Sequence, residues 1–205
     1  MGQRVEDAVG CRRVARVSVF LSYAHRDERL REELDKHLSP LRRSSLIETW
    51  DDRKISPGAQ IDAAIAQRLA TADLILLLIS PDFINSNYCY RREMRLALKR
   101  HAKGQARVIP IILRPVDWVQ TPIGRLLATP RDAKPVTTWH RRDEALLDVA
   151  TSIRRAAEDM TRERTATARR STTSQDRPDM KERSSTRRDG ASKRPAARTL
   201  RDLHG

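Results

Sequence analysis

The stretch DLILLLIS, residues 73–80, restricts the fold most strongly, because six consecutive apolar side chains occupy one short segment. A strand with one solvated face alternates apolar and polar residues, whereas a strand covered on both faces is apolar throughout. The run is also far shorter than the about 20 residues that a membrane-spanning helix needs. We therefore expect a central strand of a sheet that carries helices on both faces.

Strand patterns alternate with helix patterns along the rest of the chain. Further strands are predicted for RVSVFLSY (16–23), SLIETW (45–50), RVIPIIL (107–113) and PVTTW (135–139). Helices are predicted at about 27–41, at 59–70, around Glu93 and at about 143–160, with a short helical piece near 123–128. This alternation is typical of an α/β fold in which a parallel sheet, here of five strands, lies between two helical layers. Sites in such folds form beyond the carboxyl ends of the strands, where Tyr23 and the segments 51–58 and 80–90 fall.

Glu93 is the only carboxylate of the helical pattern over 88–100, which carries five basic residues. At about 100° per residue, Glu93 lies within the apolar arc of this helix, and the bases cover the opposite side except for Arg100. None of the residues three or four positions from Glu93 is a base, so no base on the same helix can pair with it. Since burying an unpaired carboxylate is costly, Glu93 is either a paired core acid or a residue of a functional site.

The composition divides the chain at about residue 160. Residues 161–205 contain eight apolar residues and no aromatic residue, too few to form a core. This segment carries 13 Lys and Arg against 6 Asp and Glu, a net +7 of the whole chain's +14. We predict a folded domain at 14–160 and a disordered basic tail at 161–205. Ser, Thr and acidic residues interrupt the charge of the tail, which favours a solvated linker over an arm that binds nucleic acid or an anionic surface.

Other features of the sequence exclude several classes of protein. Cys11 and Cys89 are too few for a disulfide framework or a cysteine-based zinc site, and the five His show no metal-ligand spacing, so we expect no metal and a reducing cytoplasm. The charged N-terminus has no apolar run of signal-peptide length, and we expect no membrane span. The sequence contains neither a Walker phosphate loop nor a Rossmann GxGxxG, which argues against an ATPase or an ordinary dehydrogenase.

Four motifs in the same order resemble those of a bacterial Toll/interleukin-1 receptor (TIR) domain. They are VSVFLSYAHRDE, WDDRKISPG, ADLILLLISPDFINSNYCYRREM and VIPIILRPVDW, and the resemblance covers roughly residues 16–160. The family's fold, a flavodoxin-like parallel sheet, agrees with the five strands predicted above. Many bacterial and plant members cleave the nicotinamide–ribose bond of NAD+, giving nicotinamide and ADP-ribose or a cyclic variant, whereas many animal members are assembly modules. The resemblance thus implies an NAD+ glycohydrolase in defence or effector signalling or, alternatively, a non-catalytic protein-interaction module in signal transduction.

The resemblance also implies roles for individual residues. The family's catalytic glutamate falls on Glu93, and NAD+ is then a substrate, with no cofactor required. The substrate-binding residues that it implies are Ser22, Tyr23, His25, Lys54, Gly58, Cys89 and Tyr90, and the basic candidates for the pyrophosphate are Arg26, Arg53 and Lys54. The second loop, which in the family contacts neighbouring subunits, corresponds to Asp51, Asp52, Arg53, Pro57 and Gly58, so we expect self-association with other TIR domains.

The segment before Glu93 differs from the family's pattern at one position. Enzymatic relatives often carry Trp four residues before the glutamate, and this chain has Cys89 there, with a tyrosine on each side. A tyrosine could take the place of the missing indole beside the nicotinamide. The difference keeps the non-catalytic alternative open.

Overall fold

The computed structural model describes residues 16–50, 61–86 and 92–175. Its strands are β1 (Val17–Ser22), β2 (Ile47–Thr49), β3 (Leu74–Ile79) and β4 (Arg107–Ile112). Its helices are α1 (Glu28–Arg43), α2 (Ile61–Thr71), α3 (Pro81–Asn85), α4 (Met94–Ala102) and α5 (Arg142–Gln175). Short 3-10 helices lie at His25–Asp27, Pro122–Arg125, Arg131–Ala133 and Val136–Thr138.

In the described part of the chain, the sheet is parallel and has four strands in the order β2-β1-β3-β4. The chain passes from β1 outward to β2 and then returns to place β3 on the other side of β1. The strand order therefore reverses between β1 and β3, and in open α/β sheets ligands bind at this reversal, beyond the carboxyl ends of the strands.

The two faces of β3 belong to two separate hydrophobic clusters. Leu74, Leu76 and Leu78 pack in the cluster that includes α1 and α5, whereas Ile75, Leu77 and Ile79 pack in the cluster that includes α2 and α4. All six side chains are fully buried, and burial of each contributes about 1.5–3 kcal/mol. The prediction that this strand is covered on both faces is confirmed, as is the α/β class.

The predicted fifth strand at 135–139 is wrong. Val136–Thr138 form a 3-10 helix, and the neighbour of β4 is a single parallel bridge between Ile111 and Thr129. The pairing does not continue past Thr129, because the backbone N–H of Arg131, the next one in register to face β4, donates instead to the Asp148 carboxylate at 2.8 Å, and Arg131–Ala133 form a 3-10 helix. Val136 is still fully buried, which explains why the apolar pattern suggested a strand.

The last helix is longer than predicted. Its end was expected near Met160, but α5 continues to Gln175. Polar contacts rather than apolar burial hold this extension: Arg164 forms an ion pair with Asp73, and Glu163 lies 3.4 Å from Arg107. The apolar content of a segment does not predict ion pairs of this kind. Residues 176–205 lie outside the described residues, so disorder there stays a prediction.

Arg100, the base that falls near the apolar side of its helix, is buried with 8% exposure. Its guanidinium donates to the backbone carbonyls of Leu69, Ala72 and Gln105 at 2.7, 2.6 and 3.1 Å. Burial lowers the pKa of Arg100 below its ordinary value, and the nearby Asp73 carboxylate only partly opposes this effect. This arginine joins the C-terminal end of α2 to α4, so its role is structural.

Candidate functional site

The site lies where the carboxyl ends of β1 and β3 meet. β1 ends at Ser22 and β3 is followed by Ser80, and both side chains are almost fully buried at this edge of the sheet. A cavity of about 850 Å³ opens beside them, within the range of about 300–1,000 Å³ that small-molecule sites occupy. Its described wall comes from β1, β2 and the segments after them, from α1, α2 and α3, and from Glu93.

Glu93 immediately precedes α4 and is 6% exposed, so the prediction that it faces inward is confirmed. Its Oε2 atom accepts a hydrogen bond from the hydroxyl of Ser22, itself 1% exposed. The side chain does not cap its own helix, which leaves the carboxylate directed at the end of β1. Glu93 is thus both a paired acid and a lining residue of the cavity, which joins the two alternatives that the sequence left open.

A second polar network braces the neighbouring segments. The Ser80 hydroxyl donates to buried Asp27 and accepts from the backbone N–H of Phe83 at 3.0 Å. The Nε atom of Arg114 lies 3.3 Å from the other oxygen of Asp27, and the same guanidinium forms an ion pair with Asp82. The segments that follow β1, β3 and β4 are therefore tied together, which stiffens one side of the cavity.

The predicted substrate residues Tyr23 and His25 both line the cavity. Tyr23 is half-buried, and the guanidinium of Arg31 lies 5.3 Å from its ring centroid. His25 is 93% exposed and its Nδ1 lies 3.7 Å from Glu28. Arg26 is also exposed, with Asp82 at 3.8 Å. The structure therefore pairs Ser22 with Glu93, places Tyr23 in the wall of the same cavity, and leaves His25 and Arg26 at the solvent edge.

The remaining predicted site residues lie outside the described residues. They are Lys54, Gly58, Cys89 and Tyr90, together with the loop residues Asp51, Asp52, Arg53 and Pro57. Their roles stay predictions. Trp50, immediately before this loop, lines the cavity and stacks on Phe20 with 6.0 Å between ring centroids.

Sequence reasoning missed Asp27 and Arg31, two buried polar residues at the start of α1. A signal for both was present. Asp27 precedes Leu34 by seven residues and Arg31 precedes Leu38 by seven, so both lie on the apolar stripe of that helix. The argument that singled out Glu93, a charge on an inward face, applies equally to them.

Among residues 16–50, 61–86 and 92–175, no three His, Cys, Asp or Glu side chains converge as a metal site. Within the same ranges, no helix combines the length and the apolar character that crossing a bilayer requires.

The described geometry and the four motifs agree with a known family. The family model of the TIR domain matches residues 19–149 of this chain. The chain belongs to the TIR domain family. An uncharacterized protein of Sinorhizobium fredii, y4lF, is 54% identical to this TIR domain chain over 145 residues. That match covers 71% of this chain and 45% of the relative, so the chain spans less than half the relative's length.

A solved structure is also similar to this TIR domain chain. It is the crystal structure of the TIR domain of the Toll-related receptor TRR-2 from Hydra magnipapillata, with a TM-score of 0.43 and 22% sequence identity. The superposition covers 54% of this chain and 80% of that one.

Proposed function

We propose that this TIR domain chain is an NAD+ glycohydrolase, which cleaves the nicotinamide–ribose bond and yields nicotinamide and ADP-ribose or a cyclic variant. The observation that carries the proposal is the position of Glu93. Its carboxylate is buried, oriented by Ser22, and lines a cavity at the reversal of strand order. A negative charge held in a concave site of this size is suited to stabilising positive charge in a bound molecule.

A single carboxylate is sufficient for this reaction. Most glycosidases need a second carboxyl group to protonate a poor leaving group. The nicotinamide of NAD+ is already a cationic pyridinium, so it departs as a neutral pyridine without receiving a proton. The remaining task is to stabilise the oxocarbenium-like ribose, and one fixed anion near the anomeric carbon does so electrostatically.

The bond changes balance without a cofactor. The C1'–N bond breaks and its electron pair stays on the pyridine nitrogen. The oxygen of a water molecule forms the new bond to C1' and releases one proton, which gives ADP-ribose. In the cyclic variant, a nucleophilic atom of the substrate itself forms the bond to C1' in place of water. In both cases Glu93 supplies charge and NAD+ is consumed as the substrate.

The test is release of nicotinamide from NAD+ by purified protein, compared with the variant Glu93→Gln. The glutamine side chain retains the shape and an oxygen that can accept from Ser22, but it carries no charge. We expect the rate to fall at least about 100-fold, the scale found when one preorganised electrostatic group is lost. Glu144→Gln is the matched control, because it removes an exposed carboxylate from α5, away from the cavity, and should leave the rate unchanged.

The alternative is a non-catalytic TIR module that acts by binding other TIR domains in signal transduction. Folded wild-type protein that self-associates but releases no nicotinamide would support this alternative. Equal activity of wild type and Glu93→Gln would instead show that the carboxylate is not the catalytic group.

We further propose that the chain associates with other TIR domains in the cytoplasm, in defence or effector signalling. Family membership supports this part, since assembly with other TIR domains is common in the family. The loop 51–58, which the resemblance assigns to such contacts, lies outside the described residues.

A further inference from the structure

Among the described residues, Arg31 on α1 is the buried charge with the most unsatisfied hydrogen-bond donors. The residue is 5% exposed, and its Nε and one terminal nitrogen are fully buried without a hydrogen-bond acceptor among the described residues. Glu28 lies 3.6 Å from that terminal nitrogen, an ionic contact beyond hydrogen-bond distance. The guanidinium carbon lies over the Tyr23 ring, 5.3 Å from the ring centroid.

Arg100 shows what a structural buried arginine looks like in the same molecule. The two residues are buried to a similar degree, at 5% and 8% exposure. Arg100 makes three hydrogen bonds to backbone carbonyls, whereas the buried donors of Arg31 make none with the described residues. Burying a charged donor without an acceptor is costly, so native proteins retain such a group mainly where something else completes its hydrogen bonds.

The position of Arg31 indicates what that partner is. Arg31 lines the same cavity as Glu93 and Tyr23. The planar guanidinium has a fork of donors that matches phosphate oxygens, and the low dielectric of a buried position strengthens the interaction with an anion. The cation–π contact with the Tyr23 ring, 5.3 Å from the guanidinium carbon to the ring centroid, keeps the charged group beside the cavity.

We propose that Arg31 is a substrate-binding residue that donates hydrogen bonds to a phosphate group of a dinucleotide substrate, while Glu93 faces the ribose carbon at which the bond breaks. This assignment rests on the proposed function of the same cavity. Of the basic candidates that the sequence suggested, Arg26 is exposed at the solvent edge, whereas Arg31 is inside; Arg53 and Lys54 lie outside the described residues and stay predictions.

The test compares Arg31→Met with wild type on two substrates, NAD+ and nicotinamide riboside, which has the same scissile bond and no phosphate. Loss of a charge-assisted hydrogen bond should raise KM for NAD+ about 10- to 100-fold, with a smaller change in kcat. The kcat/KM for nicotinamide riboside should stay unchanged. Arg31→Lys keeps the charge without the fork and should give an intermediate KM for NAD+.

Two controls separate substrate binding from a structural role. Arg29→Met removes a neighbouring base of α1 that is 88% exposed and should not change either substrate's kinetics. Because Met fills the volume without a buried charge, Arg31→Met should leave the midpoint of thermal unfolding unchanged or higher. A lower midpoint with an equal loss of kcat/KM on both substrates would overturn the proposal in favour of a structural arginine.

Binding of ADP-ribose, followed by calorimetry, tests Arg31 independently of catalysis. Wild type should bind ADP-ribose, and Arg31→Met should bind it about 10- to 100-fold more weakly. This difference is expected even if neither protein cleaves NAD+, a result that would refute the proposed hydrolysis but not the role of Arg31. Inorganic phosphate serves as a competitor, because displacement of ADP-ribose by phosphate at low concentration would assign the site to a free anion and overturn the dinucleotide assignment. Equal affinity of wild type and Arg31→Met, or no binding by wild type, would overturn it as well.

Discussion

The Ser22→Ala variant removes the hydroxyl that donates to Glu93 while leaving the backbone of β1 free of steric strain. Both groups are almost fully buried, so no solvent replaces the lost donor easily. Leaving a buried acceptor without its partner costs about 1–3 kcal/mol, and more when the acceptor is charged. In a domain of 150–250 residues, each 1 kcal/mol lowers the unfolding midpoint by about 2–4 °C. We therefore expect a decrease of about 2–12 °C.

The measurement is a double-mutant cycle between Ser22→Ala and Glu93→Gln, with thermal unfolding as the readout. A neutral amide oxygen costs less to leave unpaired than a carboxylate, so Ser22→Ala should destabilise the Glu93→Gln protein less than it destabilises wild type. We expect a coupling free energy of at least about 0.5 kcal/mol, the lower end for residues in contact. Nicotinamide release should fall in the single Ser22→Ala variant, because the carboxylate loses a hydrogen bond that helps to orient it.

Ser80→Ala is a matched control for this cycle. Ser80 is an equally buried serine at the end of the adjacent strand, and it also donates to a buried carboxylate, that of Asp27. Its loss should destabilise the protein by a similar or larger amount, since it also caps α3, yet its coupling to Glu93→Gln should be near zero. Additive effects of Ser22→Ala and Glu93→Gln, or a coupling to Ser80 as large as the coupling to Ser22, would refute the reasoning.

Two further predictions concern stability and assembly. Arg100→Met leaves three backbone carbonyls without their donor. If each lost hydrogen bond costs about 1 kcal/mol, the unfolding midpoint measured by calorimetry should fall by about 6–12 °C. An unchanged midpoint, as expected for Arg31→Met, would contradict the structural role. Gly58→Arg should abolish self-association in analytical ultracentrifugation and reduce nicotinamide release, because the resemblance places Gly58 in the loop that contacts neighbouring subunits. Control by assembly would be excluded if the specific activity of wild type stays constant over a hundredfold dilution and the variant is monomeric and active.

Local pattern was informative where burial follows a simple periodicity. The run LILLLI predicted a strand covered on both faces, and Leu30, Leu34, Leu38 and Leu41 on one stripe predicted the buried side of α1. The pattern was misleading where a residue is buried without taking part in the hydrogen bonding of the sheet. Val136 is buried in a 3-10 helix rather than in a strand, and in the described residues the pairing beside β4 stops at the Thr129 bridge, since the N–H of Arg131 donates to Asp148.

The extent of α5 illustrates a second limit. Residues 161–175 contain too few apolar side chains to predict packing, and the helix is held instead by ion pairs with partners far away in sequence. Such pairs have no periodic signature. Asp73 lies immediately before β3, and Arg107 is the first residue of β4. Only the folded arrangement of the strands brings these two partners close to α5.

By itself the sequence determined that Glu93 faces inward, because the angular position of a side chain on a helix depends only on residue spacing. The same spacing places Arg31 and Arg100 on or near apolar faces, and it cannot distinguish them. Only the tertiary structure decided that Arg100 donates hydrogen bonds to three carbonyls, whereas Arg31 lines a cavity and has unsatisfied donors. Whether a buried donor is hydrogen-bonded depends on which acceptors from distant segments of the chain lie next to it. Strand order, not local periodicity, determines which segments are neighbours.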